Sequence, residues 1–105
     1  MPSAVQRTAA WRDFIIHYAY LLEHAGLETA QRFRDAVEKA YAKLAEMPLM
    51  GSPGKVGQGH HAGVRIWPVR GFESYLVAYR PHRAGVAVVR LVHAKRDFHR
   101  ALEQS

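Results

Sequence analysis

His93 is the side chain of this 105-residue protein whose neighbours could support acid–base chemistry, because Arg90, Lys95 and Arg96 lie close to it in the sequence. A histidine can give or take a proton near neutrality. With Arg65, Arg80 and Arg96 as cationic clamps it could serve cleavage of an RNA phosphodiester by the adjacent 2′-hydroxyl. That reaction needs a base, an acid for the leaving oxygen and positive charge around phosphorus. The second acid–base group is the weak point. Glu73 is the only carboxylate between Lys55 and Arg96, and it falls in a turn-like stretch, Arg70-Gly71-Phe72-Glu73. Alternation adds a further constraint. In a regular strand His93 shares a face with Val89 and Leu91, and Arg90 shares one with Val88 and Val92, so the two point opposite ways. A structural role competes with the catalytic one: His93 can close a strand end by hydrogen-bonding Asp97 or backbone, and Arg96-Asp97 can form a local pair.

A second constellation mixes Trp67, Phe72, Tyr75 and Tyr79 with Arg65, Arg70 and Arg80. Aromatics interleaved with arginine can stack bases or anchor a protein interface. Alternation also sends half of such a set into a core, either Arg65 with Trp67 or Val64 with Ile66. His60-His61 could suggest a metal. With no cysteine in the chain and no carboxylate nearby, the pair lacks ligand spacing and reads as a solvated loop tip. No metal or cofactor is expected.

These residues need a sheet to position them. Gly63–Asp97 contains three apolar runs, Val64–Val69, Ser74–Arg80 and Val86–Val92, separated by Gly- and Pro-containing turns. Such runs read as sequential antiparallel strands, and the short turn Pro81–Gly85 leaves no room for a crossover helix. Upstream, Thr8 is a candidate N-cap for a helix whose apolar stripe is Trp11, Phe14, Ile15, Tyr18, Leu22 and Ala25. Gly26 suits its end. A second helix is expected from Glu28 to Glu46 with Ala30, Phe33, Val37, Ala40, Tyr41 and Leu44 inward. Asp35 with Lys39 and Arg34 with Glu38 are spaced to pair on its wet side. Met47-Pro48 ends it. The short connection predicts an antiparallel helical hairpin. Pro48–Gly63 has five Gly and two Pro in sixteen residues and reads as a long loop. Ala4–Arg7 is either a frayed terminus or a short edge strand.

The order is β-α-α-β-β-β. It predicts an α+β fold, a helical hairpin on one face of a mainly antiparallel sheet, with residues 1–105 as a single domain. With 49% hydrophobic residues, the chain can bury a core. No apolar run approaches the roughly 20 residues of a membrane span, and the N-terminus does not read as a signal peptide, so a soluble cytoplasmic protein is expected. Charge is uneven. Residues 1–46 hold six basic and six acidic side chains, whereas residues 47–105 hold nine and three, so the whole formal excess of +6 lies in the second part. That favours an anionic or acidic partner.

An ordered set of segments resembles the ParE/RelE superfamily of bacterial type II toxins over nearly the whole chain. The segments are Thr8-Ala9 opening a helix, Tyr18, Lys43-Leu44-Ala45-Glu46-Met47-Pro48, Gly51-Ser52-Pro53-Gly54, Gly63-Val64-Arg65, Tyr75–Arg80 and Arg90–Asp97. The ParE branch is the more similar. The resemblance implies a toxin held by a ParD-like antitoxin and acting on DNA gyrase by protein–protein contact, with no catalytic residue. The candidate antitoxin- or target-binding residues are then Arg65, Trp67, Tyr75, Tyr79, Arg80, Arg90, His93, Lys95, Arg96 and Arg100. The RelE branch would imply instead an mRNA interferase working on the ribosome through His93, Arg65, Arg80 and Arg96. A toxin-fold protein that only binds antitoxin is a further alternative.

Overall fold

The computed structural model describes residues 2–53 and 63–93. The elements run β1 (Ser3–Gln6), α1 (Thr8–Ala25), α2 (Leu27–Glu46), β2 (Ser52–Pro53), β3 (Arg65–Val69), β4 (Phe72–His82) and β5 (Gly85–His93). They form one five-stranded sheet in the order β1-β5-β4-β3-β2. The architecture is the α+β arrangement expected, with one addition. The segment read as a loop after α2 contributes the two-residue edge strand β2, antiparallel to β3. The expected short N-terminal strand is present, and it pairs parallel to β5, with Ser3 opposite Gly85 and Gln6 opposite Val88. The parallel direction follows from α1 and α2, which carry the chain back across the sheet face. Gly85 permits the close approach. Its φ is +144°, and a Cβ there would run into the Ser3 backbone.

Gly26 alone joins the helices. It adopts φ +96°, and its N–H closes α1 on the Leu21 carbonyl at 3.1 Å. Thr8 is the first helical residue and not the N-cap. That place falls to Arg7, whose side chain makes no cap hydrogen bond. The N-terminal end of the helix is held by the strand before it: the Arg7 amide donates to Val88 O at 3.0 Å, and the Arg7 carbonyl accepts from Trp11.

The core lies between the hairpin and the sheet. Phe33, Val37 and Leu44 of α2 meet Val69, Val77, Tyr79, Val86, Val88 and Leu91, all of them buried. Phe33 is its hub, stacked on Phe14 with centroids 5.9 Å apart and tilted on Tyr75 at 4.8 Å. A smaller cluster, Val64, Ala78 and Val89 with Ile66, occupies the other sheet face. This resolves the alternation on β3: Trp67 packs toward the helices, and Val64 with Ile66 away from them.

The α1 stripe differs from its expected position. Trp11 is 50% exposed, Ile15 46% and Leu22 43%, while the inward face carries Ala10, Asp13, Phe14, His17 and Leu21. The helix is rotated by about one residue because Asp13 and His17 have partners inside. Asp35 also behaves differently. Among the described residues its ion pair is with Arg34, at 3.7 Å, and not with Lys39.

Candidate functional site

Asp13 and His17, one turn apart on α1, complete the edge of β5 where β1 stops. β1 pairs no further than Val88. Beyond it, the Asp13 carboxylate accepts the Leu91 amide at 2.9 Å, and His17 Nε2 lies 2.9 Å from the Leu91 carbonyl. Asp13 also binds the Arg90 guanidinium through two hydrogen bonds, from Nε at 2.7 Å and Nη2 at 2.9 Å. Both side chains are largely covered, at 15% and 12% exposure. A charged, two-point pair of this kind satisfies groups that would otherwise be stranded. β5 bulges just before Arg90. Ala78 faces Arg90 and Tyr79 faces Val88, which leaves Val89 without an opposite residue. Val89 and Leu91 therefore lie on opposite faces, contrary to regular alternation. Sequence reasoning passed over Asp13 and His17. The signal was their four-residue spacing in the run 13–22, where all the other residues are apolar or aromatic.

Arg65 and Tyr79 hold the turn after α2. The Tyr79 hydroxyl donates to Pro48 O and accepts the Gly51 amide, both at 2.8 Å. Arg65 Nη1 donates to Gly51 O at 2.6 Å and Leu49 O at 3.3 Å. Burial pushes the Tyr79 phenol above its ordinary pKa, partly offset by the Gly51 amide and by Arg65. Burial does the same more strongly to Tyr41, with the Asp13 charge adding to it. Tyr41 donates to Gln6 Oε1 at 3.0 Å and so ties α2 to β1. Glu73 accepts the Gly71 amide at 2.8 Å, and the backbone bonds at this turn, with Arg70 nearby, lower its pKa.

Tyr75 is buried, edge-on to His17 at 5.0 Å and to His93 at 4.8 Å. His93 sits opposite Tyr75 in the register, partly buried, and its Nδ1 is enclosed without a hydrogen bond among the described residues. Trp67 is partly buried against the core. Arg80 is half-buried, and alternation turns it away from the helices that Tyr79 faces. Lys95, Arg96, Asp97 and Arg100, like His60 and His61, lie outside the described residues. The candidate acid–base set does not converge among the described residues. Arg65 pairs with Tyr79 and His93 with Tyr75, on strands either side of β4. That spacing separates them by about 16 Å.

What the described surface offers instead is apolar area. Trp11, Ile15 and Leu22 share one exposed line on α1, and Ile16, at 64% exposure, and Tyr20, at 56%, lie on another. Leu27, at 56%, stands at the start of α2. Singly exposed apolar residues are ordinary, but a run of large ones along one helix marks a surface that another protein covers.

Fold and surface together define a small α+β domain, a helical hairpin on a five-stranded sheet with large apolar side chains exposed along α1 among the described residues. The family model described as ParE toxin of type II toxin-antitoxin system, parDE, matches residues 5–98, and the chain belongs to that family. A solved structure titled "Chromosomal ParDE TA system from P. aeruginosa" has the same fold, with TM-score 0.72 and 16% identity, covering 90% of this chain and 98% of that one. A search of curated proteins finds no match by sequence. Among the described residues, no helix is long and apolar enough to cross a membrane.

Proposed function

We propose that this toxin acts in the cytoplasm by protein–protein contact with DNA gyrase, and that a ParD-like antitoxin neutralises it by covering the outer face of α1. The observation that carries the reading is the exposed line of Trp11, Ile15 and Leu22. Large apolar side chains of this kind supply most of the affinity in a protein interface. Gyrase as the target rests on membership of the ParE family. The geometry supports contact over catalysis, because Arg65 and Arg90 are committed to backbone and to Asp13, and Glu73 to its own turn.

Two assays on purified protein test this. Gyrase supercoiling should be inhibited, and addition of the antitoxin should restore it. Ribosome-bound mRNA should stay intact. Cleavage of mRNA with no effect on supercoiling would overturn the reading in favour of the interferase.

A further inference from the structure

A groove of about 640 Å³ runs between α2 and the β3–β4 turn. One wall is a single face of α2 bearing Arg32, Lys39 and Lys43, and the other is the turn with Arg70. Trp67 and Phe72 supply the apolar floor. The α2 cations span eleven residues, about 16 Å of helix. Among the described residues Asp35 is the one carboxylate lining the groove, and it is paired with Arg34. Glu73, beside the turn, lies in the field of Arg70. Lys39 and Lys43 belong to neither ion pair of the described residues. Three of these four cations come from the half of the chain whose formal charge balances, so net charge by segment conceals the site.

We infer that this groove receives an acidic segment of the antitoxin, extended along Lys39 and Lys43 with a bulky apolar side chain seated on Trp67 and Phe72. The inference rests on the antitoxin reading above. An extended chain covers 16 Å in about five residues, and its alternate side chains point to opposite sides. Acidic residues can therefore face the lysines while an apolar one between them enters the floor. A peptide fits better than a nucleic acid because its side chains can alternate acidic and apolar groups to match lysines beside an apolar floor, whereas a phosphate chain carries a charge at every unit. The lysines would speed association and the floor would slow dissociation.

The chain has two tryptophans, Trp11 on the outer line of α1 and Trp67 in the groove. Labelling the full-length toxin with 5-fluorotryptophan gives one ¹⁹F resonance for each, assigned with Trp11→Phe and Trp67→Phe. The probe is the unlabelled cognate ParD-like antitoxin, purified and then titrated into the toxin. Both resonances should move. Lys39→Glu with Lys43→Glu should slow association about tenfold at low salt and reduce its salt dependence. Movement of Trp11 alone, with association unchanged in the lysine variant, would overturn the groove and leave the antitoxin reading standing. No complex at all would remove both. A single-stranded oligodeoxynucleotide that moves Trp67 when the partner protein does not would overturn the proposal in favour of a nucleic-acid groove.

Discussion

Asp13 and Arg90 form a two-point ion pair, at 2.7 and 2.9 Å, between the first helix and the last strand. The same carboxylate accepts the Leu91 amide, so one side chain continues the β1 ladder and neutralises a covered charge. Asp13→Ala should cost about 3–5 kcal/mol, because it leaves Arg90 and the Leu91 amide without partners. Asp13→Asn keeps an acceptor for Leu91 and should cost less. Urea unfolding of the two variants checks the order. Equal losses would mean that the backbone bond contributes little.

Tyr41 and Tyr79 predict an alkaline limit to stability. Burial raises both phenols above their ordinary value. In the unfolded chain they ionise near pH 10. Below that pH both states keep the protons and the full stability is present. Above it the unfolded chain loses them first, so stability falls as pH rises toward the folded values. The urea midpoint should drop between about pH 10 and 11.5. Tyr79→Phe should lose about 1–3 kcal/mol at pH 8, since Pro48 O and the Gly51 amide lose their partner, and its midpoint should then fall less steeply in alkali. An unchanged slope would remove Tyr79 from the account.

The rotation of α1 shows where a sequence stops being informative. Periodicity finds a helix wherever apolar residues recur, and it located both helices, the hairpin and the last three strands. It places polar residues outside by default. Asp13 and His17 go inside because Arg90 and Leu91 meet them, more than 70 residues away in the chain. Without that contact the pattern selects Trp11, Ile15 and Leu22 as core. The Val89 bulge was hidden for a related reason: it is a property of the β4–β5 pairing and not of either strand alone. Of the expected site residues, Tyr75 and Tyr79 look like interface anchors by type and are buried supports. Their burial follows from the face they occupy, which alternation by itself cannot choose. The groove draws on α2 and the β3–β4 turn together. No single segment displays it.

The same rotation yields a prediction about the exposed line. Trp11→Ser with Ile15→Ser removes large apolar surface from solvent-facing positions. Folding stability should change by no more than about 1 kcal/mol, as for most surface sites. Binding of the antitoxin should weaken at least about 30-fold, the loss of one interface hot spot of 2 kcal/mol. Calorimetric titration and thermal unfolding of the same variant separate the two effects. A large fall in melting temperature would mean that the line is part of the core after all.

The last prediction separates contact from catalysis. His93 packs edge-on to Tyr75 at 4.8 Å, partly buried, with Nδ1 enclosed and making no hydrogen bond among the described residues. A nuclease loses about 10²–10⁴ in rate when its acid or base is deleted. A contact inhibitor declines by steps, about 1–2 kcal/mol for most anchors. Glutamine has hydrogen-bonding groups but cannot exchange protons as imidazole does, so His93→Gln tests proton transfer with little change in bulk. Gyrase inhibition by His93→Gln should stay within a few-fold of wild type, provided its circular dichroism matches. Lys95→Glu with Arg96→Glu should weaken inhibition about tenfold or more through charge reversal at a contact surface, and the loss should shrink as salt is raised. Inhibition that survives the double reversal would take the basic segment out of the target surface. Messenger RNA cleavage by the wild type, abolished by His93→Gln, would make His93 the catalytic group of a nuclease and end the contact mechanism.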